Sequence, residues 1–441
     1  MRNDVCSKEA VMPVIAVVGA QWGGEGKGHV ADLLAARARM VVRYSGGASN
    51  GHTVVNERGA FKLHLVPTGI FSPSTVNIIG SGVIIEPAAL LAEIADLRAH
   101  GINVAKLLIS DRAHVIMPYH VLQEQYEDHQ GMNYASSTAR RGASSAYADK
   151  VAQIGIRVGD LLHEEVLLSS LRQVLDKKNK ILTKVYGAPP LSLHEVYLQY
   201  LDYGRQLAEM VTDTYPIIQR AIDRDYPILL EGAQGALVDL DYGIYPYAGF
   251  ALPGAAGASQ SAGIGPNRIQ SVVGVFKAYT TRVDQGPFAT EITGPIAHVF
   301  RQPGVGWAEI QVQTGRPRRI GWFDGIMARY AAQINGIDTV AITKLDMLDS
   351  LPTIKVCIGY RLHDAELDFP PSNLAMLAKV EPIYEEMPGW LTPTSTARRF
   401  DQLPENARMY LARVSEVIGA QLGYVSVGPE RSQVIEVSRI I

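Results

Sequence analysis

Val14-Ile15-Ala16-Val17-Val18-Gly19-Ala20-Gln21-Trp22-Gly23-Gly24-Glu25-Gly26-Lys27-Gly28 decides how the rest of the chain is read. Its first five residues are apolar and mostly β-branched, the composition of a buried strand. Glycines at 19, 23, 24, 26 and 28 follow, and a helical pattern opens at His29. Residues without a Cβ let successive N–H groups turn toward one anion, and a helix start adds its dipole. Lys27 supplies a point charge for a phosphate. The spacing departs from a Walker A loop, which needs glycine at 21 and Ser or Thr at 28. It also departs from G-x-G-x-x-G with an acidic residue about 20 positions on.

The 441 residues carry a net charge of −3, which gives no reason to expect a nucleic-acid or membrane surface. Two cysteines, Cys6 and Cys357, are too few for a disulfide framework and point to a reducing, cytoplasmic setting. No apolar run reaches the ~18 residues of a membrane span. Residues 1–11 lack the apolar stretch of a secretory signal and read as a loose tail, with Met12 a candidate start.

Strand-like segments fall at 14–18, 40–43, 61–66, 77–79, 106–109, 228–230, 271–278, 339–343 and 353–358. Helical spacing falls at 30–38, 88–100, 118–130 and, most strongly, 193–224. This alternation predicts an α/β fold with a large, mostly parallel central sheet flanked by helices. Residues 131–160 and 245–268 are rich in Gly, Ala and Ser without clear periodicity and read as long loops. No linker or repeat divides the chain, so residues 12–441 are expected to form one domain.

Five further stretches carry candidate chemistry. Ser45-Gly46-Gly47-Ala48-Ser49-Asn50-Gly51-His52-Thr53 follows a strand end, where ligands gather in open α/β sheets. His52 there reads either as an acid–base group or as a surface polar residue. Glu231-Gly232-Ala233-Gln234-Gly235 caps another apolar strand, and Gln234 is either a hydrogen-bonding group or a turn residue. Thr314-Gly315-Arg316-Pro317-Arg318-Arg319 brings forked guanidinium donors together, a carboxylate or phosphate clamp or else a solvated basic loop. In Thr343-Lys344-Leu345-Asp346 the Lys-x-Asp pattern is similar to a guanine-reading element, whose carboxylate accepts from N1–H and N2–H. Ser426-Val427-Gly428-Pro429-Glu430-Arg431 closes the last apolar segment with a fixed turn.

In this order, the stretches resemble the adenylosuccinate synthetase family from about Val14 to Arg431. The matching residues include QWG-EGKG (21–28), NGHT (50–53), LHLVPTGI (63–70), RVGDL (157–161), EGAQG (231–235), KAYTTRV (277–283), TGRPRR (314–319), TKLD (343–346), EPIYEEMPGW (381–390) and VGPER (427–431). The resemblance implies a P-loop-like GTP-binding architecture with long insertions, and a ligase joining L-aspartate to carbon 6 of IMP. Magnesium-bound GTP, or ATP, would phosphorylate the purine 6-oxygen, and aspartate would then displace the phosphate. Lys27 with Gly23, Gly26 and Gly28 would hold the donor phosphates, joined by Gly51 and Thr53, with the Gly51 carbonyl on the metal. His52 would act as general acid. Lys344 and Asp346 would read guanine beside Ser426 and Gly428. Asn50, Thr138, Arg140, Arg141 and Gln234 would meet the purine nucleotide monophosphate, and Thr314, Arg316 and Arg318 the aspartate. A homodimer is implied as well.

The chain departs from the family pattern on the acceptor side. The loop usually reads GDEGKGK, with its aspartate as the base for purine N1–H and a magnesium contact; here that position is Gly24. The TTGRG loop reads Ser137-Thr138-Ala139-Arg140-Arg141-Gly142, the arginine of KVAR is Gln153, and the SSNTT loop reads Phe250-Ala251-Leu252-Pro253-Gly254. Loss of a positioned base costs ~10²–10⁴-fold. The departures therefore predict an altered acceptor: dGMP or GMP, whose 2-amino group would take the room beside Gly24, or a non-nucleotide lactam. A catalytically silent nucleotide-binding paralogue is the remaining reading, opposed by His52, Arg316 and Arg318.

Overall fold

The computed structural model describes residues 14–129, 141–301, 309–310 and 317–438. One sheet is built from β1 (Val14–Gly19), β2 (Met40–Arg43), β3 (Val76–Ile79), β4 (Leu107–Ser110), β5 (Val211–Thr212), β6 (Ile228–Glu231), β7 (Ile269–Lys277), β8 (Thr339–Thr343), β9 (Gln421–Ser426) and β10 (Val434–Glu436). Its spatial order is β5-β4-β3-β2-β6-β1-β7-β8-β9-β10. Neighbours run parallel apart from the last pair, β9 with β10.

The apolar run of β1 is buried throughout because both of its faces are covered. Ile15 and Val17 pack with Val30, Ala31 and Leu34 of helix α1 (Lys27–Ala35). Val14, Ala16 and Val18 face the other core, with Ile218, Ala258, Ile326 and Val414 from the helices across the sheet. Each valine, leucine or isoleucine among these contributes ~1.5–3 kcal/mol when fully buried. A second core gathers the helices Pro87–Ala99, Glu164–Lys184 and Leu193–Leu207 around the β3–β4 end of the sheet.

The expected strands are present, but two stand outside the large sheet: 353–358 lies in Thr353–Leu362, which pairs antiparallel with Glu381–Pro388. Residues 61–63 belong to a separate hairpin, His52–Asn56 with Gly59–Leu63, that carries His52 and Thr53 beside the sheet, and 64–66 form no strand. The long pattern at 193–224 is two helices, Leu193–Leu207 and Tyr215–Asp223, with edge strand β5 between them. Pro216 sits in the first turn of the second helix, where a missing N–H costs no helical hydrogen bond. The two Gly/Ala/Ser-rich stretches are not wholly loop, since they hold the short helices Ala143–Val151 and Ala255–Ala262. Helices Glu164–Lys184, Gly325–Asn335 and Glu405–Ile418 add to the four expected from sequence.

Candidate active site

The carboxyl ends of β1, β2, β6, β7, β8 and β9 meet along one edge, the side where open parallel sheets bind ligands. At the end of β1 the chain turns through Gly23, Gly24 and Gly26, all with left-handed φ, and α1 begins at Lys27. Glu25 points inward. It is fully buried, accepts the N–H groups of Gln21 and Gly23 at 3.1 and 2.8 Å, and receives Lys27 Nζ at 2.6 Å. Burial pushes its carboxyl up, but Lys27 and these backbone donors together hold it below the usual range. Glu25 is thus the brace of the loop and cannot stand in for a carboxylate at 24. Gly28 has a different reason to be glycine, because a Cβ there would lie 2.7 Å from the His52 ring.

Three charged residues follow apolar runs at strand ends: Arg43 of β2, Glu231 of β6 and Lys277 of β7. Arg43 and Glu231 are register partners on adjacent strands, and Arg43 Nη1 donates to Glu231 Oε1 at 2.5 Å. The other Glu231 oxygen accepts from Thr68 N–H and Oγ1 at 2.8 and 2.7 Å. His52 lies against this pair, Nδ1 at 3.4 Å from Arg43 Nη1 and Nε2 at 3.6 Å from Glu231 Oε1. Burial, then the charges of Arg43 and Lys27, hold the imidazole pKa well below its ordinary value. At neutral pH the ring is therefore neutral and donates from one nitrogen, and an arriving phosphate would oppose both cations.

After β8, Lys344 adopts left-handed backbone at φ 59° and opens the short helical turn Leu345–Leu348. Asp346 stands behind it, with Oδ1 buried and unpartnered. Burial, with Asp349 nearby, pushes this carboxyl up to about 6. A buried acceptor without a donor carries a desolvation cost that a ligand N–H would remove. Ser426 Oγ donates to the Gly428 carbonyl at 2.9 Å and sets the turn at the end of β9.

Glu309 joins Lys344 to the arginine stretch. Its Oε1 accepts from Lys344 Nζ at 2.6 Å, Lys277 Nζ at 2.9 Å and the Tyr279 hydroxyl at 2.6 Å, and Arg318 Nε lies 3.5 Å from Oε2. Arg318 reaches onward to the glycine loop: a Cβ on Gly24 would fall 2.5 Å from its Nη1. The space beside Gly24 is therefore taken by a guanidinium, which corrects the expectation that glycine leaves it open for a purine 2-amino group.

One cavity of about 420 Å³ unites these groups. Its wall includes Gly23, Gly24, Gly26, Lys27, Gly28, Asn50, Gly51, His52, Thr53, Gln234, Arg318, Lys344, Ser426 and Gly428. Gln234 has left-handed backbone, and its Oε1 is buried without a partner. Asp346 is not part of the wall. The Asn50 carbonyl accepts from Arg43 and its Oδ1 accepts from Gly47 N–H, so that side-chain oxygen shapes the loop. Arg141 is exposed and also lies outside the wall. Thr138, Arg140, Thr314 and Arg316 fall outside the described residues.

Motif reading gave Glu231 and Lys277 no role and did not reach Arg43 or Glu309. The usable signal is a charge that follows an apolar run at a strand end, as in MVVR, ILLE and VGVFK. Glu309 carries no such mark. Among the described residues no group of three or more His, Cys, Asp or Glu is arranged to hold a metal. With Gly24 lacking a side chain and Glu25 turned inward, the loop itself offers a magnesium ion no free carboxylate.

A family model described as adenylosuccinate synthetase matches residues 16–435. The adenylosuccinate synthetase of Dehalococcoides mccartyi is 48% identical over 424 residues, covering 96% of this chain and 100% of that protein. That of Bacillus anthracis is 43% identical over 422 residues, covering 96% and 98%. Among solved structures, the fully ligated adenylosuccinate synthetase from Plasmodium falciparum superposes with a TM-score of 0.88 at 30% identity, covering 97% of this chain and 100% of that one. The cyanophage S-2L succinoaminodeoxyadenylate synthetase, bound to dGMP and dATP, gives a TM-score of 0.62 at 22% identity over 97% and 96%, a likeness of fold alone. The guanine-type acceptor expected from Gly24 is thus not favoured by its relatives. The chain belongs to the adenylosuccinate synthetase family.

Proposed function

We propose that this ligase joins L-aspartate to carbon 6 of IMP through a 6-phosphoryl intermediate, with GTP as phosphoryl donor. The carrying observation is the single cavity that brings Lys27, His52, Gln234, Arg318 and Lys344 together. Lys27 and the N–H groups at the start of α1 neutralise and orient the donor phosphates. His52 donates a hydrogen bond to the transferring phosphoryl group. The unpaired amide oxygen of Gln234 offers an acceptor to the purine, and Arg318, with Arg316, clamps the aspartate carboxylates. Asp346 accepts the guanine N–H groups. An amide-like purine oxygen leaves poorly, so phosphorylating it first supplies a leaving group for the aspartate amine. The Gly51 carbonyl would hold a magnesium ion, which when bound would offset charge on the donor phosphates. Residues 12–441 act as one domain, and the active form is a homodimer in the cytoplasm.

The test is phosphate release and adenylosuccinate formation by the purified protein with GTP, IMP and aspartate, with dGMP, GMP and ATP in parallel arms. Release that needs all three substrates supports the reading, and Arg318→Leu should raise the aspartate KM at least tenfold while leaving the IMP KM within about twofold. Turnover of dGMP without turnover of IMP overturns it.

A further inference from the structure

Glu309 stands between two side chains that the reading above assigns to different substrates. Its carboxylate is almost fully buried and rests on a floor of two fully buried groups, Lys277 and Tyr279. The other two partners, Lys344 and Arg318, keep 15% and 18% of their side chains exposed and line the cavity. Burial alone would raise this carboxyl. The surrounding cations, Lys277 and Lys344 first and then Arg318, overrule it and hold it far below the usual carboxylate range. Glu309 is therefore a permanent anion whose charge is divided between the guanine-reading lysine and the aspartate clamp.

We propose that Glu309 is an affinity-setting residue, an internal carboxylate that competes with the amino-acid substrate for Arg318 and links that competition to the donor site through Lys344. The inference rests on Arg318 being the clamp. A dicarboxylate entering the clamp meets a guanidinium already facing one carboxylate, and also a like charge inside the wall. When a nucleotide draws Lys344 off, Glu309 loses one counter-charge and holds Arg318 harder. Donor and aspartate sites are then negatively coupled, with Glu309 as the shared element.

The experiment measures the aspartate KM at GTP concentrations well below and well above the GTP KM. In the unaltered protein the aspartate KM should rise as GTP saturates. Glu309→Gln should lower it about three- to tenfold and remove its dependence on GTP. If the buried Lys277 left by that change prevents folding, Lys277→Met/Glu309→Gln removes both members of the buried pair, and in it the GTP dependence should still vanish. A folded variant whose aspartate KM rises, or keeps its GTP dependence, overturns the inference. Arg318→Leu separates the two levels. An unchanged aspartate KM there overturns the clamp itself, whereas a raised one beside an unresponsive Glu309 variant overturns only the competition.

Discussion

Asp346 has a carboxyl raised to about 6 by burial, with Asp349 adding to it. Guanine can be read only by the ionised form, which accepts from two N–H groups at once. As pH falls through about 6 the group protonates, so the GTP KM should rise while the ATP KM changes little. Asp346→Asn should lose that pH dependence and shrink the GTP preference by about ten- to a hundredfold, the ~1.5–3 kcal/mol of a charge-assisted hydrogen bond. KM values for both nucleotides from pH 5.5 to 8 check this, and equal values for the unaltered protein at pH 7.5 would remove Asp346 from the role. Gly24 invites the opposite change. Gly24→Asp puts a side chain on left-handed backbone at φ +71° and its Cβ against Arg318. The new carboxylate would pair with that guanidinium before it reached a purine, so the aspartate KM should rise severalfold with no gain in kcat/KM for IMP. A gain for IMP with an unchanged aspartate KM would show that Arg318 yields freely. The loops bearing Lys27, His52, Gln234 and Lys344 were legible because each follows an apolar strand and contains glycine or a short polar signature. Glu309 was not, because its partners lie at 277, 279, 318 and 344, and only the fold brings them to one carboxylate.

Helix α1 shows how an element carries a local motif to a distant one. Its Asp32 is buried and receives Arg431 Nε and Nη2 at 2.5 and 2.6 Å, and Arg37 reaches Glu436 at 3.1 and 2.9 Å. The helix that begins at the glycine loop is thereby tied to the turn holding Gly428. Burial pushes the Asp32 carboxyl up against the pull of Arg431, so the pair gains less than its two contacts suggest. Asp32→Asn should therefore move Tm by only a few degrees yet raise the GTP KM severalfold, with the aspartate KM within about twofold. A parallel rise in both KM values would mark general loosening instead. Elements were read well where periodicity was uninterrupted, as in β1 and the helix Pro87–Ala99. The pattern at 193–224 ran through a helix, an edge strand and a second helix because apolar spacing alone does not report where one helix stops and the next begins. The helix Glu164–Lys184 buries Leu167, Leu171, Val174, Leu175 and Leu182 on one face, but also Lys178. Lys178 is there because Asp149 accepts its Nζ at 2.7 Å, a partner sequence spacing does not display.

At the scale of the molecule, a mostly parallel sheet was legible from the alternation of strands and helices, whereas its spatial order was not. That order depends on β1 inserting between β6 and β7, pairings more than two hundred residues apart in the chain. The same limit applies to a second copy. Gln153 is exposed at the end of the helix Ala143–Val151, with left-handed backbone at φ 62°. It stands where the family resemblance implies an arginine reaching into the partner's acceptor site. An exposed amide supplies no charge to a phosphate, so each site of a homodimer would lack one guanidinium. The chain is expected to sediment at twice its own mass, with specific activity falling on dilution as dimers dissociate. Gln153→Arg would restore a forked donor on backbone that already tolerates a side chain, and should lower the IMP KM about three- to tenfold. Because the donor comes from the other copy, the gain should fade in step with the dimer as protein concentration falls. A gain that persists in dilute monomer would place residue 153 at its own chain's site. A monomer of full activity, with an IMP KM indifferent to Gln153→Arg, would remove the second copy from catalysis altogether.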